Sequence, residues 1–199
     1  MSQPIEFFFD FSSPYGYLAS RLIDGLAQRH GRAAIWKPIL LGAVFKITGQ
    51  APLPQIPLKG DYALRDFART ARFYDIPFRM PDAFPFSTVA AVRAFYWLEA
   101  TTPESAHALA QKIYDFAFSG HDVTAPATIA ALAGEIGLDG AALLAAIETP
   151  EVKNRARSEN DAAIARGVFG SPYFIVDGEP FWGADRLPQV ERWLETGGW

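Results

Sequence analysis

The stretch Phe7-Phe8-Phe9-Asp10-Phe11-Ser12-Ser13-Pro14-Tyr15 constrains this chain more than any other, because an apolar strand must stop there and a helix must begin. Ile5, Phe7, Phe8, Phe9 and Phe11 are dense enough in aromatics to form a buried strand. Pro14 suits the first helical position, where a missing N–H is no loss. Ser13 is then the N-cap. Its hydroxyl would sit among the unpaired N–H groups at the positive end of the helix, a place that also favours a bound anion. Read from these residues alone, Ser13 is either a cap and nothing more or the seat of an anion.

The rest of the chain narrows the fold. Leu18, Leu22 and Leu26 repeat at helical spacing, and Gly31 suits the left-handed residue that ends the helix. Residues 33–41, with Ile35, Trp36, Ile39 and Leu40, read as a second strand, so the opening is a right-handed βαβ unit. Pro38 predicts an edge position or the end of that strand. Gly49, Pro52, Pro54 and Pro57 make 42–59 a loop of functional length after a short helix over 43–47. A helical block follows over 62–74, 86–100 with Ser87 or Thr88 as cap, 103–120, 125–136, a short helix capped by Asp139, and 150–167. Tyr173 to Val176 restores a strand, Asp177-Gly178 signals a hairpin into Pro180-Phe181-Trp182, and Asp185 is expected to cap a last helix. This is an α/β pattern: a thioredoxin-like sheet domain (1–42 and 168–199) with an inserted all-helical domain (43–167, loop included).

Composition excludes several function classes. With 199 residues, half of them apolar, the chain can bury about 70% of its unfolded surface without metal or disulfide support. The net charge of -4 and the lack of a Lys/Arg run argue against a nucleic-acid partner. No apolar stretch approaches ~18 residues and no basic-then-apolar leader opens the sequence, so a soluble, cytoplasmic protein without a membrane partner is expected. The chain has no cysteine, which rules out dithiol redox chemistry and a cysteine nucleophile of its own. His30, His107 and His121 lack ligand spacing, and no metal site is expected. Neither a nucleophile elbow nor a phosphate loop is present. Ser171-Pro172, opening a strand after Gly170, is a candidate cis bond whose backbone could pair with an extended peptide ligand. Lys46 and Lys59 bracket the proline-rich loop; taken alone they, Gln50 and Arg186 read as solvated surface groups.

Phe9-Asp10-Phe11-Ser12-Ser13-Pro14-Tyr15, Val44-Phe45-Lys46, Arg166 to Pro172 and Trp182 to Leu187 together resemble the 2-hydroxychromene-2-carboxylate isomerase family, nearly end to end. That family is similar to kappa-class glutathione transferases and to bacterial disulfide oxidoreductases, in which a cysteine opens the first helix. The resemblance implies that glutathione is the cofactor and brings the missing thiol, with Ser13 hydrogen-bonding its sulfur. It further implies that Ser171, before a cis Pro172, pairs with the cysteinyl unit, that Asp185 and Arg186 hold the γ-glutamyl end, and that Gln50 and Lys59 contact glutathione. Lys46 and Ser87 would meet a small aromatic carboxylate substrate, with Phe8, Tyr15, Phe84, Phe86 and Trp182 as candidate pocket lining. A homodimer is implied by the same likeness. The chain departs from the pattern at Ser87, where many such isomerases carry asparagine, and at Gln50, where kappa transferases do.

Overall fold

In the computed structural model, which describes residues 3–199, the aromatic run forms β1 (Ile5–Phe9) and the chain turns through Asp10 to Ser13 into α1 (Pro14–Ser20). Ser13 is the N-cap, its Oγ accepting the Gly16 N–H at 3.0 Å. The one helix expected here is two. The Leu22 N–H bonds the Ala19 carbonyl, tightening the end of α1, and α2 (Ile23–Arg29) restarts with Ile23 and Leu26 turned into the core. β2 (Ala34–Pro38) lies parallel to β1, Ile5 opposite Ala34 and Phe9 opposite Pro38, so the βαβ unit stands and Pro38 ends an edge strand. On the other side of β1, β3 (Tyr173–Val176) runs antiparallel, with Phe7 opposite Phe174. The hairpin Asp177–Gly178, at φ of 52° and 90°, leads to β4 (Glu179–Trp182), giving a four-stranded sheet in the order β2-β1-β3-β4.

Between β2 and β3 the described chain carries α3 (Leu41–Thr48), α4 (Lys59–Phe73), α5 (Val89–Glu99), α6 (Pro103–Ala117), α7 (Pro126–Glu135), α8 (Gly140–Ala146) and α9 (Pro150–Ala165). Asp139 caps α8 through the N–H groups of Ala141 and Ala142. Two expectations are corrected. α5 starts at Val89 rather than Phe86, with Thr88 at the cap position making no capping bond, and Phe86 and Ser87 stay in a segment that includes a cis Phe84–Pro85 bond. Asp185 does not cap the last helix, α10 (Leu187–Thr196). It sits in a 3-10 turn, Ala184–Arg186, one residue too early to reach the helix N–H groups, and its carboxylate meets the Arg186 guanidinium at 3.4 Å.

β1 carries three consecutive aromatic residues, Phe7 to Phe9, because both of its faces are covered there. Phe7, Phe9 and Phe11 point to the helical side, where Phe9 meets Trp36 at 5.2 Å and Phe95 at 6.2 Å edge-on, and Phe11 meets Tyr114 at 5.3 Å. Phe8 points the other way, among Ile39, Val44, Val168 and Tyr173. Each buried ring contributes about 1.5–3 kcal/mol, and each edge-on pair a further ~0.5–1.5 kcal/mol.

Glu6, on β1, takes both arms of the Arg166 guanidinium at 2.7 and 2.5 Å, tying the end of α9 to the sheet, with Lys37 3.8 Å away. The bond from Arg166 holds the Glu6 carboxyl below the usual carboxylate range, against the opposing effect of burial. A lowered folded value means that this contribution is present above the unfolded value of about 4.3 and is lost as pH falls through the folded one. Glu6→Gln is therefore expected to cost about 0.5–1 kcal/mol at pH 7 and progressively less as pH falls below about 4, measured by urea unfolding across that range.

Candidate functional site

The site is built around the loop between β1 and α1. Ser13 is 7% exposed, and its hydroxyl donates to the Ser171 carbonyl at 2.9 Å while accepting from Gly16. The Ser171–Pro172 bond is cis, and the Ser171 Oγ accepts the Asp10 N–H at 2.9 Å, so both polar ends of Ser171 are committed to this loop. Gly16 is required here: a Cβ on it would lie 2.7 Å from both the Ser171 Oγ and the Tyr114 hydroxyl. Ser13, Ser171 and Pro172, separated by more than 150 residues in sequence, meet in one place.

Asp10 is the residue that sequence reasoning missed. It is 3% exposed, and its Oδ1 accepts the Ser12 N–H and Ser12 hydroxyl, both at 2.8 Å, while its Oδ2 accepts the Leu41 N–H at 2.7 Å. The Thr88 hydroxyl faces the same carboxylate. Burial pushes the Asp10 carboxyl up, against these donors, which favour its charged form. Its carbonyl accepts the Tyr114 hydroxyl at 2.9 Å. One side chain thus joins the loop before Ser13 to the first turn of α3 and the start of α5. The only signal in the sequence was a lone acid inside an aromatic run, where a charge is buried only if it is bonded.

Beside this node lies a cleft of about 590 Å³, lined by Asp10, Ser12, Phe45, Lys46, Gln50, Pro85, Phe86, Ser87 and Thr88 among others. It brings together Lys46, Gln50 and Ser87. Ser13, Ser171 and Pro172 adjoin it through Asp10 and Ser12 without lining it. Asp185 and Arg186 are exposed on the 3-10 turn that packs against α1, and Lys59 is exposed at the first position of α4. The loop ahead of Lys59 is seated by Gly60, on which a Cβ would meet the Pro54 carbonyl at 2.4 Å. Of the five aromatics read as lining, Phe86 lines the cleft. Phe8 is buried under the sheet, Tyr15 meets Phe67 edge-on and donates to Asp66, and Trp182, 51% exposed, packs on Phe169 and Gly170. Phe84 meets Phe86 at 6.3 Å without reaching the cleft wall. A more open depression of about 520 Å³ between α6 and α7, around Lys112 and Phe116, holds none of these residues.

The histidines are engaged elsewhere: His107 with Asp24 at 2.9 Å, His30 3.7 Å from Glu191, and His121 stacked on Phe116. Among the described residues no His/Cys/Asp/Glu group could hold a metal, and no helix is long and apolar enough to cross a membrane.

A sheet of this order, a serine-capped helix facing a cis X-Pro bond and a helical block between β2 and β3 define a protein of thioredoxin-like fold with a helical insertion. The chain belongs to the DSBA-like thioredoxin domain family, whose model matches residues 4–195. More particularly, it is similar to a 2-hydroxychromene-2-carboxylate isomerase of Sphingobium xenophagum, 29% identical over 98% of this chain and 99% of that one. It is also similar to human glutathione S-transferase kappa 1, 26% identical over 98% of this chain and 94% of the other. Among solved structures, a 2-hydroxychromene-2-carboxylate isomerase superposes with a TM-score of 0.87 at 26% identity, covering 97% of this chain and 95% of that one.

Asp10→Asn keeps one acceptor but turns an NH₂ toward N–H donors, leaving buried groups unpaired. It is expected to cost about 1.5–3 kcal/mol, or ~3–10 °C in Tm by calorimetry, and Ser12→Ala, which removes one donor only, less than half of that.

Proposed function

We propose that this chain is a glutathione-dependent isomerase interconverting 2-hydroxychromene-2-carboxylate, or a related aromatic-catabolism intermediate, and trans-o-hydroxybenzylidenepyruvate. The observation that carries the reading is the pairing of the Ser13 hydroxyl and Ser171 carbonyl, 2.9 Å apart, beside a mostly apolar cleft whose wall carries the cation Lys46. The residues fit a peptide thiol: a hydroxyl for the sulfur, a backbone carbonyl for an amide, and no cysteine to compete. Glutathione, when bound, would supply a thiolate for reversible addition to an electron-poor carbon of the substrate once its hemiketal C–O bond has opened to ketone and phenol, so that rotation about the former double bond and expulsion of the same thiolate could follow.

The chain's own groups then have distinct tasks. Ser13 holds the sulfur, and Ser171 and Pro172 orient the cysteinyl unit. Asp185 and Arg186 offer opposite charges to the γ-glutamyl ammonium and carboxylate. Lys59 and Gln50 make further contacts with the tripeptide, and because Gln50 also lines the cleft it stands where the two ligands meet. Lys46, with Ser87 across the cleft, takes the substrate carboxylate and offsets the negative charge that develops on addition. Phe45 and Phe86 give the aromatic ring an apolar wall. α1 has only seven residues before the break, so the side-chain hydroxyl is asked to do more, and the helix field less, than an unbroken helix would allow.

The likeness to human glutathione S-transferase kappa 1 supports a second reading, conjugation of an electrophile by the same thiol. An absorbance assay on the hydroxychromene with and without glutathione, with free thiol counted over many turnovers, separates the two. Constant thiol with glutathione-dependent turnover supports isomerisation; steady thiol loss supports the transferase.

Ser13→Ala is expected to lose at least about tenfold in kcat/KM while losing about 1–3 kcal/mol of stability with its cap and its bond to the Ser171 carbonyl. Lys46→Ala is expected to raise the substrate KM more than the glutathione Kd measured by calorimetry; the reverse ordering would move Lys46 to the thiol side of the site.

A further inference from the structure

The Ser13 hydroxyl has one hydrogen and two acceptor lone pairs. The Gly16 N–H can only donate, so it occupies one lone pair at 3.0 Å; the Ser171 carbonyl can only accept, so the hydrogen lies toward it at 2.9 Å. What Ser13 offers an incoming sulfur is therefore a lone pair. A thiol meeting a lone pair donates its S–H to it, and a hydrogen bond of that sense favours the neutral thiol. To favour the anion, the hydrogen must turn away from Ser171.

That turn leaves a carbonyl behind. Ser13 is 7% exposed and Ser171 is half-buried, so solvent is a poor replacement, and an unpaired carbonyl opposes the turn. Three neighbouring donors are committed elsewhere: the Asp10 N–H to the Ser171 Oγ at 2.9 Å, the Tyr114 hydroxyl to the Asp10 carbonyl at 2.9 Å, and the Gly183 N–H to the Pro172 carbonyl at 3.1 Å. Pro172 itself has no N–H. A ligand can bring the missing donor. In a cysteinyl residue the amide N–H and the sulfur are three bonds apart, and the two oxygens they would address are separated by 2.9 Å, so one residue can meet both.

We propose that the Ser171 carbonyl holds the Ser13 hydrogen in the free protein and releases it to a ligand's sulfur only when the ligand brings its own N–H to that carbonyl. The site thereby ionises thiols of cysteinyl-peptide type and leaves simple thiols neutral, a selection exerted on ionisation rather than on affinity. This rests on the thiol-binding reading above. Ser13 keeps its hydrogen throughout, and the proton lost from the thiol passes to solvent.

The test compares glutathione with its depsipeptide, in which an ester oxygen replaces the cysteinyl N–H, on the native chain and on Ser13→Gly, a substitution that N-caps tolerate. Ser13→Ala serves as a second variant, and circular dichroism verifies both folds. The readout is the ultraviolet thiolate absorbance of the bound thiol as a function of pH, with the bound fraction taken from calorimetry. Bound glutathione is expected to ionise about one pH unit lower on the native chain than on Ser13→Gly, a tenfold gain in thiolate, whereas the bound depsipeptide ionises alike on both to within about twofold. A depsipeptide showing the same Ser13-dependent shift overturns the proposal. So does a depsipeptide that binds neither protein, which would place the N–H in affinity, and so does glutathione that ionises alike on both. Glutathione that does not bind the native chain at all overturns the proposed function itself.

Discussion

A buried carboxylate at the end of the first strand holds this structure's working parts in register. Asp10 accepts hydrogen bonds from Ser12 in its own loop and from Leu41 at the first turn of α3, and faces Thr88 at the start of α5. These segments come from separate stretches of chain, and the third of them, at Thr88, lies outside the sheet. Without the shared acceptor, the loop ahead of Ser13 and the helix that carries Lys46 would be related only through the β1–β2 ladder, which ends where the Ile39 N–H meets the Phe9 carbonyl at 2.7 Å, and by apolar packing, which is non-directional. Asn160 reinforces the arrangement from α9, its Oδ1 accepting the Leu40 N–H at 2.8 Å, so the start of α3 is held from both sides.

Aromatic packing then joins the sheet to the helical block. Phe7, Phe9 and Phe11 present a wall of rings to Trp36, Phe95 and Tyr114, and Tyr114 adds a directional bond through its hydroxyl to the Asp10 carbonyl. The same ring that fills the core fixes the backbone of the loop next to the site. Gly16 permits this approach, since any side chain there would displace Tyr114 or Ser171. Core and site are thus a single packing problem around β1, and the hydroxyl-to-carbonyl pair of Ser13 and Ser171 is one of its results.

Much of the fold was legible because local chemistry and tertiary demand agree. The strand-to-helix switch at Ser13-Pro14, the Asp177-Gly178 hairpin and the Asp139 cap are each dictated within a few residues, and all three formed as read. Asp185 was misread because Asp is a good cap by type, whereas the 3-10 turn that shifts it out of register comes from the packing of residues 184–186 on α1. The break between α1 and α2 was missed for a related reason: Leu18, Leu22 and Leu26 keep a helical period across it, and no Gly or Pro marks the change.

The sequence alone determined the class of fold, the position of the helix mouth and the absence of a protein thiol, because strand periodicity, capping and composition are local properties of the chain. Only the tertiary structure decided which hydrogen bonds the Ser13 hydroxyl makes, that Asp10 ties together segments about thirty and eighty residues downstream of it, and that Lys46, Gln50 and Ser87 share one cleft while Lys59, Asp185 and Arg186 stand outside it. Those are distances between segments remote in sequence. They are set by how the aromatic face of β1 packs against the helices, and no short stretch of the chain contains that information.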